Sequence, residues 1–139
     1  MKIWYGITTT QYLKYKKYYT NIRNILLDRG VILTRDWYPY VEEDFKLRKG
    51  KKRNMEEVYK AVTKAIDQAN AVIIESTIPS FSISHQIYYA ILRQKPTLVL
   101  QTKNANINFS DAYIGAIDSK YLIVRNYDSK NLEKIIDEF

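Results

Sequence analysis

The groups best suited to chemistry crowd into one stretch, Glu-Ser-Thr-Ile-Pro-Ser-Phe-Ser-Ile-Ser-His-Gln-Ile-Tyr-Tyr-Ala, from Glu75 to Ala90. It closes an apolar run over 71–74, passes Pro79 with serines at alternate positions (Ser80, Ser82, Ser84), and then takes up a helical period at Ile83, Ile87, Ala90 and Ile91. That order predicts strand, polar loop, helix. In an open α/β sheet such a loop sits at the carboxyl edge of the strands, where serine hydroxyls and the unpaired N–H groups of a helix start suit an anion. Glu75 would bring a carboxylate to that edge, and His85 and Gln86 would add polar contacts from the first turns of the helix.

Several other chemistries are excluded or disfavoured. Only four glycines are present and none cluster, so neither a phosphate-binding loop nor a dinucleotide fingerprint exists. With no cysteine there is no disulfide, thiolate zinc site or thiol nucleophile, which fits a reducing compartment. His85 is the single histidine and has no carboxylate pair at ligand spacing beside it, so no metal site is expected. It lacks the glycine-flanked serine that a hydrolase triad would need, and it reads more readily as a structural or substrate-contacting group.

The elements that must position these groups follow from periodicity. Strands are predicted over 2–5, 31–34, 71–76, 97–101 and 121–125. Tyr12, Tyr15, Tyr19, Ile22 and Leu26 recur at three- and four-residue spacing on one helical face, and Gly30 closes that helix. Asn54 with Glu57 three residues on reads as a capping box opening a helix whose inward face is Met55, Val58, Tyr59, Val62 and Ile66. Pro96 ends the helix that follows the serine loop. A short helix is expected near 110–116, and Asp128 or Ser129 should cap a last helix with Leu132, Ile135, Ile136 and Phe139 inward.

Strands alternating with helices along all 139 residues imply parallel pairing and one α/β domain over 1–139. The fold class is a Rossmann-like or flavodoxin-like three-layer sandwich on a five-stranded, mainly parallel sheet. No apolar run approaches a membrane span and the amino terminus lacks a signal-peptide layout, so a cytoplasmic protein is expected.

The formal charge of +7 is concentrated locally: Lys46, Arg48, Lys49, Lys51, Lys52 and Arg53 stand close together, with Lys60 just beyond. A solvated basic loop is the simplest reading. A nucleic-acid-binding module using this run, with Trp37, Tyr38 and Tyr40 as stacking groups, is the alternative. The irregular stretch over 36–53 has the length of a functional lid.

The stretch from Glu75 to Ala90 resembles the 2′-deoxynucleoside 5′-monophosphate N-glycosidases, the Rcl-type branch of the nucleoside 2-deoxyribosyltransferase superfamily. Glu75, Thr77, Pro79, Ser80 and Ala90 match that pattern in type and spacing, and Phe81, Ile83 and Ile87 are apolar equivalents. The likeness extends through the first strand with Gly6, the strand over 31–34, the Ala69-Asn70 turn and the Ser110 region.

The resemblance implies a nucleoside-monophosphate ligand, a homodimer and no cofactor. Ser80 falls on its phosphate-contacting serine, Ser110 on the serine that reaches a neighbouring subunit's phosphate, and Ser82 on a loop glycine. Trp4, Tyr5 and Thr8, with His85 and Gln86, then become the expected sugar and base contacts. The catalytic positions are altered: Gln86 stands where the family has its glutamate, Val62 where it has an aspartate, and Ile3 where it has a tyrosine.

That change bears on the reaction. Breaking an N-glycosidic bond builds positive charge on the sugar, which a carboxylate stabilises or captures. An amide supplies neither, at a cost of roughly four to six powers of ten in rate. The expectation is therefore a nucleotide-binding protein without the usual glycosidase chemistry. An N-glycosidase or deoxyribosyltransferase using a relocated carboxylate is the rival; Glu75 is its first candidate, ahead of Glu56, Glu57 and Asp67 on the preceding helix.

Overall fold

The structure, a computed structural model, describes residues 1–41, 54–103, 114 and 116–139. The basic run 46–53, Ser110 and most of the short helix expected around it lie outside the described residues.

Five strands form the sheet: β1 (Lys2–Ile7), β2 (Ile32–Leu33), β3 (Ala71–Glu75), β4 (Thr97–Thr102) and β5 (Leu122–Tyr127). They are all parallel in the order β2-β1-β3-β4-β5. β1, β3 and β4 are buried nearly throughout, as strands covered on both faces must be, which is why they read as apolar runs and not as alternating patterns.

Two helical layers supply the cover. α1 (Tyr12–Asp28) and α4 (Leu132–Glu138) pack Tyr12, Tyr19, Ile22, Leu26, Leu132 and Ile136 against Ile3, Tyr5, Ile73 and Leu98. On the opposite face, α2 (Met55–Gln68) and α3 (Phe81–Leu92) pack Ala65, Ile66, Ile83, Ile87 and Ala90 against Trp4, Val72, Ile74 and Val99. This is the three-layer α/β sandwich expected from the alternation of elements. Among the described residues no helix is long and apolar enough to cross a membrane.

The helix starts are set locally. Asn54 caps α2, its Oδ1 accepting from the N–H groups of Glu56 and Glu57 at 3.1 and 3.3 Å. Ser80 caps α3, its Oγ accepting from Ile83 N–H at 3.3 Å. Asp128 does not cap α4; Asn131 stands at that position, and the Asp128 carboxylate closes the preceding turn by accepting from Lys130 and Asn131 N–H at 2.9 and 3.2 Å. An Asp side chain satisfies a turn as readily as a helix start, so its type alone does not locate the boundary.

The expected inward face of α2 needs correction. Only Ala65 and Ile66 are buried, whereas Met55 is 65% exposed and Tyr59 53%. The second half of α2 lies over the sheet and the first half projects past its carboxyl edge. A continuous apolar stripe on one helix thus serves two surfaces, core below and open wall above.

After β2 the chain is tied to α1. Arg23 grips Asp36 with two hydrogen bonds, Nε to Oδ1 at 2.9 Å and Nη2 to Oδ2, and lies 4.9 Å over the Tyr38 ring. This clasp holds Trp37 in the core against Tyr5 and Tyr12. Because the sheet rather than this surface clasp carries the apolar burial, Ile73→Ala in the central strand β3 should cost about 2–5 kcal/mol. Urea unfolding should show a lower midpoint with an unchanged slope.

Candidate functional site

In the strand order β2-β1-β3, the direction of winding reverses between β1 and β3, and the chains leaving these two strands diverge to opposite sides. A cleft of about 800 Å³ opens at this carboxyl edge. Its floor comes from Trp4 and Ile7 of β1 with Gln86 of α3, and Thr9, Arg35, Trp37 and Tyr40 line it from the loops after β1 and β2. The projecting half of α2 adds Asn54, Met55, Glu57, Tyr59 and Val62, and α3 adds Phe81, Ser82 and His85.

The floor is built around Gln86, which is 6% exposed. Trp4 Nε1–H donates to its Oε1 at 3.0 Å. An indole nitrogen can only donate, so this bond assigns the amide: Oε1 faces Trp4 and the Nε2 donors face away from it. Gly6 makes the arrangement possible. A Cβ at position 6 would come within 2.6 Å of Gln86 Oε1 and 2.7 Å of Ile74 Cδ1.

The serines sit at one end. Ser80 Oγ both caps α3 and lies 3.1 Å from Ser82 Oγ, and Ser82 reaches the cleft wall. Phe81 between them is 98% exposed, an apolar ring left in water at the cleft rim. His85 stacks between Tyr59 and Tyr89, with ring centroids 5.4 and 5.8 Å away. Tyr89 in turn donates to Asp67 at 3.0 Å, which places Asp67 at the far end of this ladder, outside the cleft lining.

Four expected site residues are absent from the lining: Ser80, which caps α3, and Tyr5, Thr8 and Glu75. Tyr5 points to the α1 layer, where its hydroxyl donates to the Tyr19 carbonyl at 3.1 Å; as the immediate neighbour of Trp4 on a strand it must face the other way. Thr8 is buried, its Oγ1 accepting from Thr10 N–H at 3.3 Å, and Thr9 takes the place on the cleft wall.

Glu75 is 0% exposed and is absent from the lining. Its Oε1 accepts from Tyr127 O–H at 3.1 Å and from Thr77 O–H, its Oε2 accepts from Thr77 N–H at 3.3 Å, and Thr77 is itself bound by Thr102 N–H at 2.8 Å. The acid on the described cleft wall is Glu57, which the sequence placed only on the preceding helix. Arg35 and Thr9 carried no periodic signal, and they come to the cleft only because the turns after β2 and β1 converge there.

No protein-family model matches the chain, and no curated protein matches it. Among solved structures, the Clostridium botulinum CMP N-glycosidase BcmB matches with a TM-score of 0.67 at 13% sequence identity, over 100% of both chains. At that identity the likeness is one of fold: the chain shares the α/β architecture of that protein.

The Glu75 network sets a pH dependence of folding. Burial pushes its carboxyl up to about 7, against hydrogen bonds from Thr77 and Tyr127 that lower it. A folded-state value above the unfolded one means the stability is present in full below the ordinary carboxyl range and is lost as pH rises through about 7. The loss should amount to about 3 kcal/mol between pH 4.5 and 8. Urea midpoints across that range should fall for the parent protein and stay nearly level in Glu75→Gln; equal slopes would show that Glu75 titrates normally.

Proposed function

We propose that the protein binds a nucleoside monophosphate in this cleft and does not perform the usual cleavage of its N-glycosidic bond. The observation that carries the reading is the floor of the cleft, where Gln86 is held by Trp4 in the position that the sequence resemblance assigns to a catalytic glutamate. A neutral amide in that place donates to a sugar hydroxyl through Nε2, but it offers no charge to a developing oxocarbenium centre.

The rest of the wall supports a nucleotide. Aromatic and apolar side chains suit a base and sugar, and convergent polar groups fix orientation. In this reading Ser80, Ser82 and the first N–H groups of α3 receive the phosphate, and His85 and Gln86 contact the sugar or base. Ser110 of a second copy would complete the phosphate site in a homodimer. Because BcmB is a CMP N-glycosidase, cytidine monophosphate is the first ligand to try.

A hydrolase using another acid is the competing reading, and the geometry favours Glu57 over Glu75 for it. Glu57 stands on the cleft wall, while Glu75 is sealed among Thr77 and Tyr127 on the other side of the sheet.

Calorimetry with nucleoside monophosphates should give saturable heat. Ser82→Ala should weaken it about threefold to tenfold. Ser82 is the better probe than Ser80, whose removal would also uncap α3. Absence of heat across all common monophosphates would overturn the proposal. Chromatography after prolonged incubation should find no free base above the uncatalysed level; robust release abolished by Glu57→Gln would replace the binding reading with an enzymatic one.

A further inference from the structure

Arg35 stands two residues after β2, half-buried, on the cleft wall. Its guanidinium lies 5.2 Å over the Tyr40 ring. The adjacent carboxylate, Asp36, is occupied by Arg23, and among the described residues Arg35 has no ion pair. A guanidinium beside an aromatic ring still carries a rigid fork of N–H donors that a ligand can engage.

The position of the fork decides what it meets. β2 and β3 are separated by β1 alone, so the segments that lead to Arg35 and to the serine-capped start of α3 leave the sheet about two strand spacings, roughly 10 Å, apart. That separation is comparable to the reach from a 5′-phosphate to the far edge of its base. We infer that Arg35, stacked on Tyr40 at the β2 end of the cleft, reads the base edge of the bound nucleotide and selects bases that present two adjacent acceptors. This rests on the nucleotide-binding reading above, with the phosphate at the serine end.

Chemistry then separates the bases. Cytosine offers N3 beside O2, and guanine offers N7 beside O6, so each accepts two parallel bonds from the fork. Adenine sets an amino donor beside N7 and beside N1, and uracil places its own N3–H between its carbonyls; both leave one arm of the fork facing a donor or nothing. A desolvated donor without a partner is what makes such a site discriminate. A lysine at position 35 would keep the charge and lose the fork.

The test is calorimetry with the monophosphates of cytidine, guanosine, adenosine and uridine, and with cytidine itself. The parent protein should bind the first two roughly tenfold more tightly than the other two. Arg35→Gln and Arg35→Lys should each bring all four within about threefold of one another while cytidine monophosphate remains preferred over cytidine, with thermal melts confirming that the variants fold. Equal affinities in the parent protein, or an unchanged ranking in folded variants, would overturn the inference. Loss of the phosphate preference with the ranking kept would also overturn it, by placing the phosphate at Arg35. Failure of every nucleotide to bind the parent protein would instead defeat the underlying reading of the cleft, and the inference with it.

Discussion

The contact between Gln86 of α3 and Trp4 of β1 is made over Gly6, whose missing side chain leaves room for it. With a hydrogen in place of a Cβ, Gln86 Oε1 and Ile74 Cδ1 both occupy space that any other residue would fill. In the same layer Ile83, Ile87 and Ala90 of α3 are buried against the sheet, and Trp4 Nε1–H meets the Gln86 amide. The approach of this one helix sets the depth of the cleft, the orientation of the amide on its floor and the direction in which the Ser80-capped helix start faces. α2 shares the same apolar layer through Ala65 and Ile66, so its projecting first turns are carried to the opposite wall by the same packing.

The alternation of a strand divides the polar groups between two environments. Ile74 faces the α2–α3 layer, and Glu75, one residue on, faces the layer of α1 and α4. That single step removes the carboxylate from the cleft and places it among tyrosines, where the shared low-dielectric surroundings raise the Tyr5, Tyr19 and Tyr127 hydroxyls as well as the carboxyl. Thr77 joins this network to β4 through Thr102 N–H, so Glu75 anchors the start of the loop that ends in Ser80. Its part is to hold the β3–α3 connection from behind, while Gln86 and Glu57 meet the cleft from in front.

The likeness to a CMP N-glycosidase fold is compatible with this division because a fold positions a site without dictating its chemistry. The reversal of winding between β1 and β3 creates the crevice in any sheet of this order. What the crevice does depends on a handful of side chains around the strand ends, and here the buried polar one that α3 supplies, Gln86, is an amide.

The sequence alone determined the order of elements, the parallel sheet and the polar turn before α3, because each rests on local signals: apolar runs for strands covered on both faces, three- and four-residue spacing in α1, and serines at alternate positions after Pro79. Asn54 was legible in the same way as the cap of α2. Tertiary structure decided the rest. Met55 and Tyr59 share the periodicity of Ile66, yet they line open space because the helix outruns the sheet beneath it. Thr9 and not Thr8 reaches the cleft, since rotation within a turn follows from packing and not from residue type. Arg35 and Tyr40 meet on the cleft wall through a clasp between Arg23 and Asp36, thirteen residues apart in sequence. Local sequence encodes which way a chain turns and where a helix begins; which distant side chains then share one cavity depends on how far each element extends past the sheet edge, a length that only the packed layers set.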